Sequence, residues 1–299
     1  MTNDKMTKIA WVFPGQGSQT VGMGVDLQDT SIGKAKFELA EKILGWSILD
    51  KSQGAEEELS LTLYTQPCLY VIEAILADLL VEKGQLPDLV SGHSLGEYSA
   101  FYAARVFDFE TGLTLVKRRA ELMNSASGGK MVALMKFDRQ QLDQLISNSS
   151  DVVLANDNSE QQVVISGTPE AVDQICSQVK AKRAVPLKVG GAFHSHFMSS
   201  ASEQFQTVLE SVNFTDAKVP VLSNIDPTPA TQGEVLKGRL IGQMTGSVRW
   251  REIMEQLPLQ AINQVIEVGP GKVLTGLIKR ECPDISLRNV SNFEEVKVI

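Results

Sequence analysis

Two kinds of apolar pattern alternate along this chain. Short apolar runs are closed by Gly and Pro, and longer stretches return an apolar residue every three or four positions. The run Ile9-Ala10-Trp11-Val12-Phe13, stopped by Pro14-Gly15, predicts a buried parallel strand. A helix follows, with Thr65 as cap, Pro67 in the first turn, and Leu69, Ile72, Leu76 and Leu79 on its stripe before Gly84 closes it. Leu89-Val90 reads as a second strand, and Glu97–Ala104 is helix-compatible. Asp108 is the expected cap of a further helix through Leu115, Val116 and Met123. That helix runs into Ser125-Ala126-Ser127-Gly128-Gly129, a small-residue stretch with the look of a hinge.

The rhythm changes between about Lys130 and Val189. Strands are expected over Met131–Phe137, Val152–Ala155, Gln162–Ser166 and Ala184–Lys188, with helices over Asp138–Ser147 and Pro169–Lys182. That β-α-β-β-α-β order is the ferredoxin-like pattern, here set as a subdomain within a larger unit. Val219–Ser223 and Gln264–Val268 read as later strands of the main body. The chain shows no internal repeat, low-complexity tract or long charge run.

The 299 residues can supply a sizeable core, and a formal charge of -8 argues against general nucleic-acid affinity. Cys68, Cys176 and Cys282 have neither paired nor metal-type spacing, which fits a reducing compartment and no metal. Met1–Met6 leads into the first strand without a signal-peptide core. No uninterrupted apolar stretch approaches bilayer-spanning length, so a cytoplasmic location without membrane contact is expected.

The candidate chemistry begins at Gly92-His93-Ser94-Leu95-Gly96. A G-x-S-x-G between strand and helix forces a tight turn that lifts the serine hydroxyl to a helix N-terminus. Ser94 needs a base, and the chain has three histidines. His93 adjoins the serine at a sharp turn and should point away. His194 and His196 sit where the subdomain returns to the main body, and spacing does not separate them. No histidine follows His196, so the Ser, acid, His order of an orthodox α/β-hydrolase is not available.

Arg119 is the second anomaly. Leu115, Val116, Ala120, Leu122 and Met123 form one apolar arc at 100° per residue, and Arg119 projects into its middle, whereas Lys117 and Arg118 fall outside. A guanidinium on a buried face needs an anion. That anion is either an internal Asp or Glu or a substrate carboxylate held by the planar fork.

Six motifs, in this order, carry a resemblance: Phe13-Pro14-Gly15-Gln16-Gly17-Ser18-Gln19, Thr65-Gln66-Pro67, Gly92–Tyr98, Leu115–Arg119, Phe193-His194-Ser195 and Glu267-Val268-Gly269-Pro270-Gly271. Together they resemble the malonyl-CoA:acyl-carrier-protein transacylases of fatty-acid synthesis and their polyketide-synthase relatives. The resemblance implies an α/β protein: a large α/β-hydrolase-like domain with a parallel sheet, residues 1–128 and 198–299, and an inserted ferredoxin-like α+β subdomain, residues 129–197. It implies Ser94 as nucleophile, His194 as base, Gln243 beside that base, and the backbone N–H groups of Gln16 and Leu95 as the oxyanion hole. Arg119 would hold the malonyl carboxylate, with Met123, Asn156 and Phe193 lining the acyl pocket. The bulk of Phe193 would disfavour a 2-methyl branch. At residues 246–247 the chain has Gly-Ser where the family usually has Asn-Pro.

The implied reaction moves malonyl from malonyl-CoA to the phosphopantetheine thiol of holo acyl carrier protein by ping-pong acyl transfer, supplying fatty-acid elongation. No cofactor is implied beyond the coenzyme A thioester substrate. A base oriented by a neutral carbonyl would serve a thiol acceptor better than water. Lys182, Arg183, Lys272, Lys279 and Arg280 are candidates for docking an acidic carrier, and the chain length fits a monomer. Alternatives are a trans-acting polyketide acyltransferase, a serine thioesterase, and a carrier-binding protein without catalysis.

Overall fold

The computed structural model describes residues 7–299, so the expectation for the Met1–Met6 leader lies outside the described residues. Nine strands, β1 (Ile9–Phe13), β2 (Leu89–Gly92), β3 (Lys130–Phe137), β4 (Val152–Ser159), β5 (Gln162–Gly167), β6 (Ala181–Pro186), β7 (Val221–Leu222), β8 (Gln264–Val268) and β9 (Ser286–Val290), form two sheets. The first, ordered β7-β2-β1-β8-β9, is parallel throughout. The second, ordered β4-β5-β3-β6, is antiparallel and has the ferredoxin-like arrangement expected from the sequence.

The helices are α1 (Ser31–Leu44), α2 (Ile48–Gln53), α3 (Glu56–Leu59), α4 (Thr62–Glu82), α5 (Gly96–Ala103), α6 (Phe109–Ser125), α7 (Arg139–Ser147), α8 (Pro169–Gln178), α9 (Ser199–Glu210), α10 (Gly233–Gln243), α11 (Trp250–Leu259), α12 (Val273–Glu281) and α13 (Phe293–Lys297). Alternation along β1 divides the main core. Trp11 and Phe13 pack with α4, α5 and α6, while Ala10 and Val12 pack with Ile253, Met254 and Leu257 of α11 and Leu274 and Leu277 of α12. In the second sheet Val132, Leu134, Val163 and Ile165 close a separate core under α7 and α8. Met131, Ala133 and Val164 turn the other way, into the main body.

Several boundaries differ from the sequence reading. α4 begins at Thr62, one turn before Thr65. The Thr65 hydroxyl donates to Leu59 O at 2.5 Å, so it ties the preceding segment instead of capping. α4 also has the length and apolar composition of a membrane span, although most of it is buried inside the protein. α8 ends at Gln178 rather than Lys182, and β6 starts at Ala181 rather than Ala184 because Ala181 pairs with Phe137. β4 runs past Ala155 to Ser159, through two irregularities, because its polar end is held by the main body. Val248 N–H donates to Ala155 O at 2.8 Å, and Asp157 N–H donates to Val248 O at 2.9 Å. β7 contracts to Val221–Leu222, and β9 was not anticipated.

The carboxyl ends of β1, β2, β7 and β8 lead into Gln16, Ser94, Asn224 and Gly269. β1 is the switch point, since the chain builds outward to β2 and β7 on one side and returns to β8 on the other. Such sheets leave a crevice outside their carboxyl ends at that point.

Candidate active site

Ser94 sits between β2 and α5 with φ 53°, left-handed backbone that costs a non-glycine residue about 1–3 kcal/mol. The flanking glycines make the turn possible. A Cβ on Gly92 would lie 1.9 Å from Gly96 C, and one on Gly96 would lie 2.0 Å from Phe13 O. The turn is clamped by two side-chain amides. Ser94 N–H donates to Asn224 Oδ1 at 2.7 Å, and Gln243 Nε2 donates to Ser94 O at 2.8 Å.

His194 separates from the other two histidines by geometry. Its Nε2 is 2.8 Å from Ser94 Oγ, and its Nδ1 lies 3.0 Å from Gln243 O and 3.1 Å from Gly246 O. Carbonyls only accept, so Nδ1 carries the proton and Nε2 is left to accept from the serine. Burial, then the Arg119 charge, push the imidazole down to about 3, so it is neutral at ordinary pH. His196 is exposed and its ring lies against Phe197, away from Ser94. His93 turns aside, as expected, with Nε2 2.8 Å from Asn158 Oδ1 and its ring against Trp250.

Arg119 is 1% exposed. Nη1 donates to Gln66 Oε1 at 2.7 Å, while Nη2 donates to Gln243 Oε1 and to Ser94 Oγ, both at 3.0 Å. Among the described residues no carboxylate pairs with it directly, and its buried Nε has no acceptor. Of the two anions the sequence left open, the internal salt bridge is therefore absent. A buried cation without a paired anion costs several kcal/mol. The amides of Gln66 and Gln243 and the face of Tyr98, 5.3 Å from the guanidinium carbon, offset only part of that.

A small cleft opens over Ser94, lined by Gln16, Leu95, Arg119, Met123, Asn156, Phe193 and His194 among others. The N–H groups of Gln16 and Leu95 donate to no other group among the described residues. Leu95 precedes the first turn of α5, so its N–H belongs to the set that a helix N-terminus leaves open. Met123 and Phe193 give the cleft an apolar wall. Asn156 brings a buried Oδ1 without a partner. Gln243 meets Arg119 and the Ser94 main chain through its side-chain amide and His194 through its backbone oxygen.

Three participants were not foreseen as site residues. Gln66, on otherwise apolar α4, takes up Arg119. Asn224 holds the turn from the end of β7, and Glu97 lies buried beneath it. The available signal was positional: each is a polar side chain at a strand end or on a buried helix face.

A model of the acyl transferase domain matches residues 10–298. The chain is 63% identical to the malonyl CoA-acyl carrier protein transacylase of Synechocystis sp. over 97% of its own length and 99% of that protein. It superposes on the crystal structure of the Synechocystis sp. PCC 6803 malonyl-CoA:ACP transacylase with a TM-score of 0.97, at 62% identity, over 98% of this chain and 100% of the other. It also resembles a malonyl-transacylase solved in complex with its type II polyketide carrier protein, with a TM-score of 0.92 at 36% identity. That match covers 98% of each chain.

Proposed function

The chain belongs to the acyl transferase domain family, and from that membership and the site we infer that it is a malonyl-CoA:acyl-carrier-protein transacylase supplying fatty-acid elongation. The observation that carries this reading is Arg119, a buried cation without a carboxylate partner, within hydrogen-bond distance of the nucleophile. A dicarboxylic acyl group supplies the missing anion, and a plain acetyl group does not.

In the reaction, Ser94 Oγ attacks the thioester carbonyl while its proton passes to His194 Nε2. The carbonyl oxygen becomes an oxyanion facing the N–H groups of Gln16 and Leu95, and each such donor is worth about 3 kcal/mol in comparable sites. Collapse breaks the C–S bond, and the imidazolium returns the proton to the departing coenzyme A sulfur. The carrier thiol then repeats the sequence on malonyl-Ser94, giving ping-pong kinetics and free Ser94. The backbone acceptors of His194 Nδ1 orient the ring without adding negative charge, which favours an acidic thiol over water as acceptor. No metal or organic cofactor enters these steps.

For the carrier surface, Lys136, Lys182, Arg183 and Arg280 line one shallow depression, and none of the four joins an ion pair among the described residues. In a chain of net charge -8, that concentration of free cations favours docking of an acidic carrier. Lys272 and Lys279 do not line it. The fatty-acid reading is favoured over a polyketide one by 63% identity to the Synechocystis sp. transacylase, against 40% to the polyketide-biosynthesis malonyl CoA-acyl carrier protein transacylase of Bacillus subtilis. The two units, residues 1–128 with 198–299 and residues 129–197, meet at the cleft in this reading, and the enzyme works as a cytoplasmic monomer.

The test is intact-protein mass after brief mixing with malonyl-CoA or acetyl-CoA, for wild type, Ser94→Ala and Arg119→Ala. A malonyl adduct on wild type that disappears in Ser94→Ala and weakens selectively in Arg119→Ala is the expected result. Absence of both adduct and released malonate on wild type overturns the reading.

A further inference from the structure

Glu97 is a carboxylate with no exposure, placed in the first turn of α5 below the nucleophile, and the steps above do not use it. One of its oxygens, Oε2, accepts from Gln243 Nε2 at 2.7 Å and from the Asn224 backbone N–H at 3.3 Å. These two residues carry the side-chain amides that hold the strained main chain of Ser94. Asn224 also donates through Nδ2 to Gly92 O at 2.6 Å, so it grips the turn at two points. The other oxygen, Oε1, has no partner, and neither does the buried hydroxyl of Ser223.

Gln243 lies between opposite charges. Arg119 can only donate, so it must face Oε1 of the amide. A carboxylate can only accept, so it must face Nε2. Glu97 therefore fixes which way the Gln243 amide points, and that choice gives Arg119 its acceptor.

We propose that Glu97 is a positioning residue of the transfer: its Oε2 anchors Asn224 and Gln243, and through them sets the attitude of Ser94 and the aim of Arg119. What the site requires is an acceptor oxygen at that place, and the negative charge is dispensable. Glu97→Gln can supply such an oxygen, with its NH₂ turned to the unpartnered Ser223 hydroxyl. Glu97→Ala supplies nothing, and Glu97→Asp draws the acceptor back by one methylene. The inference rests on the transacylase reading, since it concerns acylation of Ser94.

The experiment measures acyl-Ser94 formation by quenched-flow mass spectrometry for wild type, Glu97→Gln, Glu97→Ala and Glu97→Asp, with malonyl-CoA and acetyl-CoA, beside thermal unfolding of each. Misplacing a reacting group by about 1 Å costs on the order of 10²-fold. A loss of kcat of about that size is expected for Glu97→Ala with both donors, with a smaller change in KM, and with Glu97→Gln rescuing most of it. If Glu97→Ala does not fold, Glu97→Asp is read in its place and should lose kcat in the same way. The proposal is overturned if the folded Glu97→Ala or Glu97→Asp acylates at the wild-type rate, or if Glu97→Gln loses as much as they do. A wild-type protein that takes no acyl group from either donor removes the transacylase reading as well. Normal wild-type acylation with indifferent variants removes only this inference.

Discussion

Arg119 Nη2 donates to Ser94 Oγ at 3.0 Å, so the guanidinium proposed to hold the far end of the acyl group also touches the hydroxyl proposed to attack it. Ser94 Oγ is shared between this donor and His194 Nε2 at 2.8 Å. On the proposed transacylase reading, a malonyl carboxylate that claims Arg119 would release the hydroxyl, joining selection of the acyl group to freeing of the nucleophile.

Removal of Arg119 should therefore divide the donors. Loss of a charge-assisted, two-pronged contact is worth about 3 kcal/mol, so Arg119→Ala should lower kcat/KM for malonyl-CoA on the order of 10²-fold. Acetyl-CoA should be spared, because it has no carboxylate to lose. Lysine keeps the charge without the fork and should recover only part of the loss. Steady-state kinetics with both donors decide it, and an equal loss for each would contradict the assignment.

The depressed imidazole gives a pH signature. His194, held at about 3 by burial and by the Arg119 charge, stays neutral as pH falls through the ordinary histidine range. The acid limb of kcat/KM, which reports the free enzyme, should then lie well below pH 6.5. Malonyl neutralises Arg119 in the bound state, so the acid limb of kcat should shift upward for malonyl-CoA and stay in place for acetyl-CoA. Arg119→Ala should raise the kcat/KM limb. A limb near 6.5 in the wild type would speak against this account.

Glu97 gives a stability signature of opposite sign. Burial lifts its carboxyl to about 7, although hydrogen bonds from Gln243 and the Asn224 N–H and the Arg119 charge pull it down. The folded state thus holds the proton more tightly than the unfolded chain does. That contribution is fully present below the ordinary carboxyl value of 4.5 and is lost as pH rises through about 7. Glu97→Gln should have a Tm above wild type at pH 8 and close to it at pH 4. Calorimetry across that range measures the difference.

Phe193 and the basic depression each yield a simpler outcome. One methyl group in a pocket discriminates by about 1–3 kcal/mol, so wild type should prefer malonyl-CoA to methylmalonyl-CoA, and Phe193→Val should narrow the gap. Equal turnover by wild type would remove the role given to Phe193.

Charge reversal at Lys182 and Arg183 should raise KM for the carrier protein and weaken the salt dependence of transfer. Acylation by malonyl-CoA should be untouched. A defect in both half-reactions would mean that the two residues do not act through docking.

Much of the site could be read from the chain because chemistry of this kind needs unusual residues in usual places. Ser94 stood in a turn that only glycines allow, and Arg119 interrupted an apolar arc on α6, where burial without a reason would be costly. The supporting amides left a fainter trace. Asn224 follows a strand of only two residues, and Gln66 resembles any polar residue on a long helix until the whole of α4 is seen to be buried. The strand expected to end at Ala155 runs on through the polar Asn156–Ser159, since nothing nearby in sequence reveals that Val248 will pair with it. Local pattern carried the elements, and distant pairing decided where they ended.

The groups that steady the catalytic imidazole are the main-chain oxygens of Gln243 and Gly246. No codon change deletes a carbonyl. A substitution scan should find no side chain that bonds the His194 ring as the acid of a triad would, although the ring is held from behind all the same. Heredity sees that support only as the path of the chain. Changing the side chain at Gly246 or Ser247 does not remove the Gly246 oxygen, whereas inserting or removing one residue there should displace it from the ring.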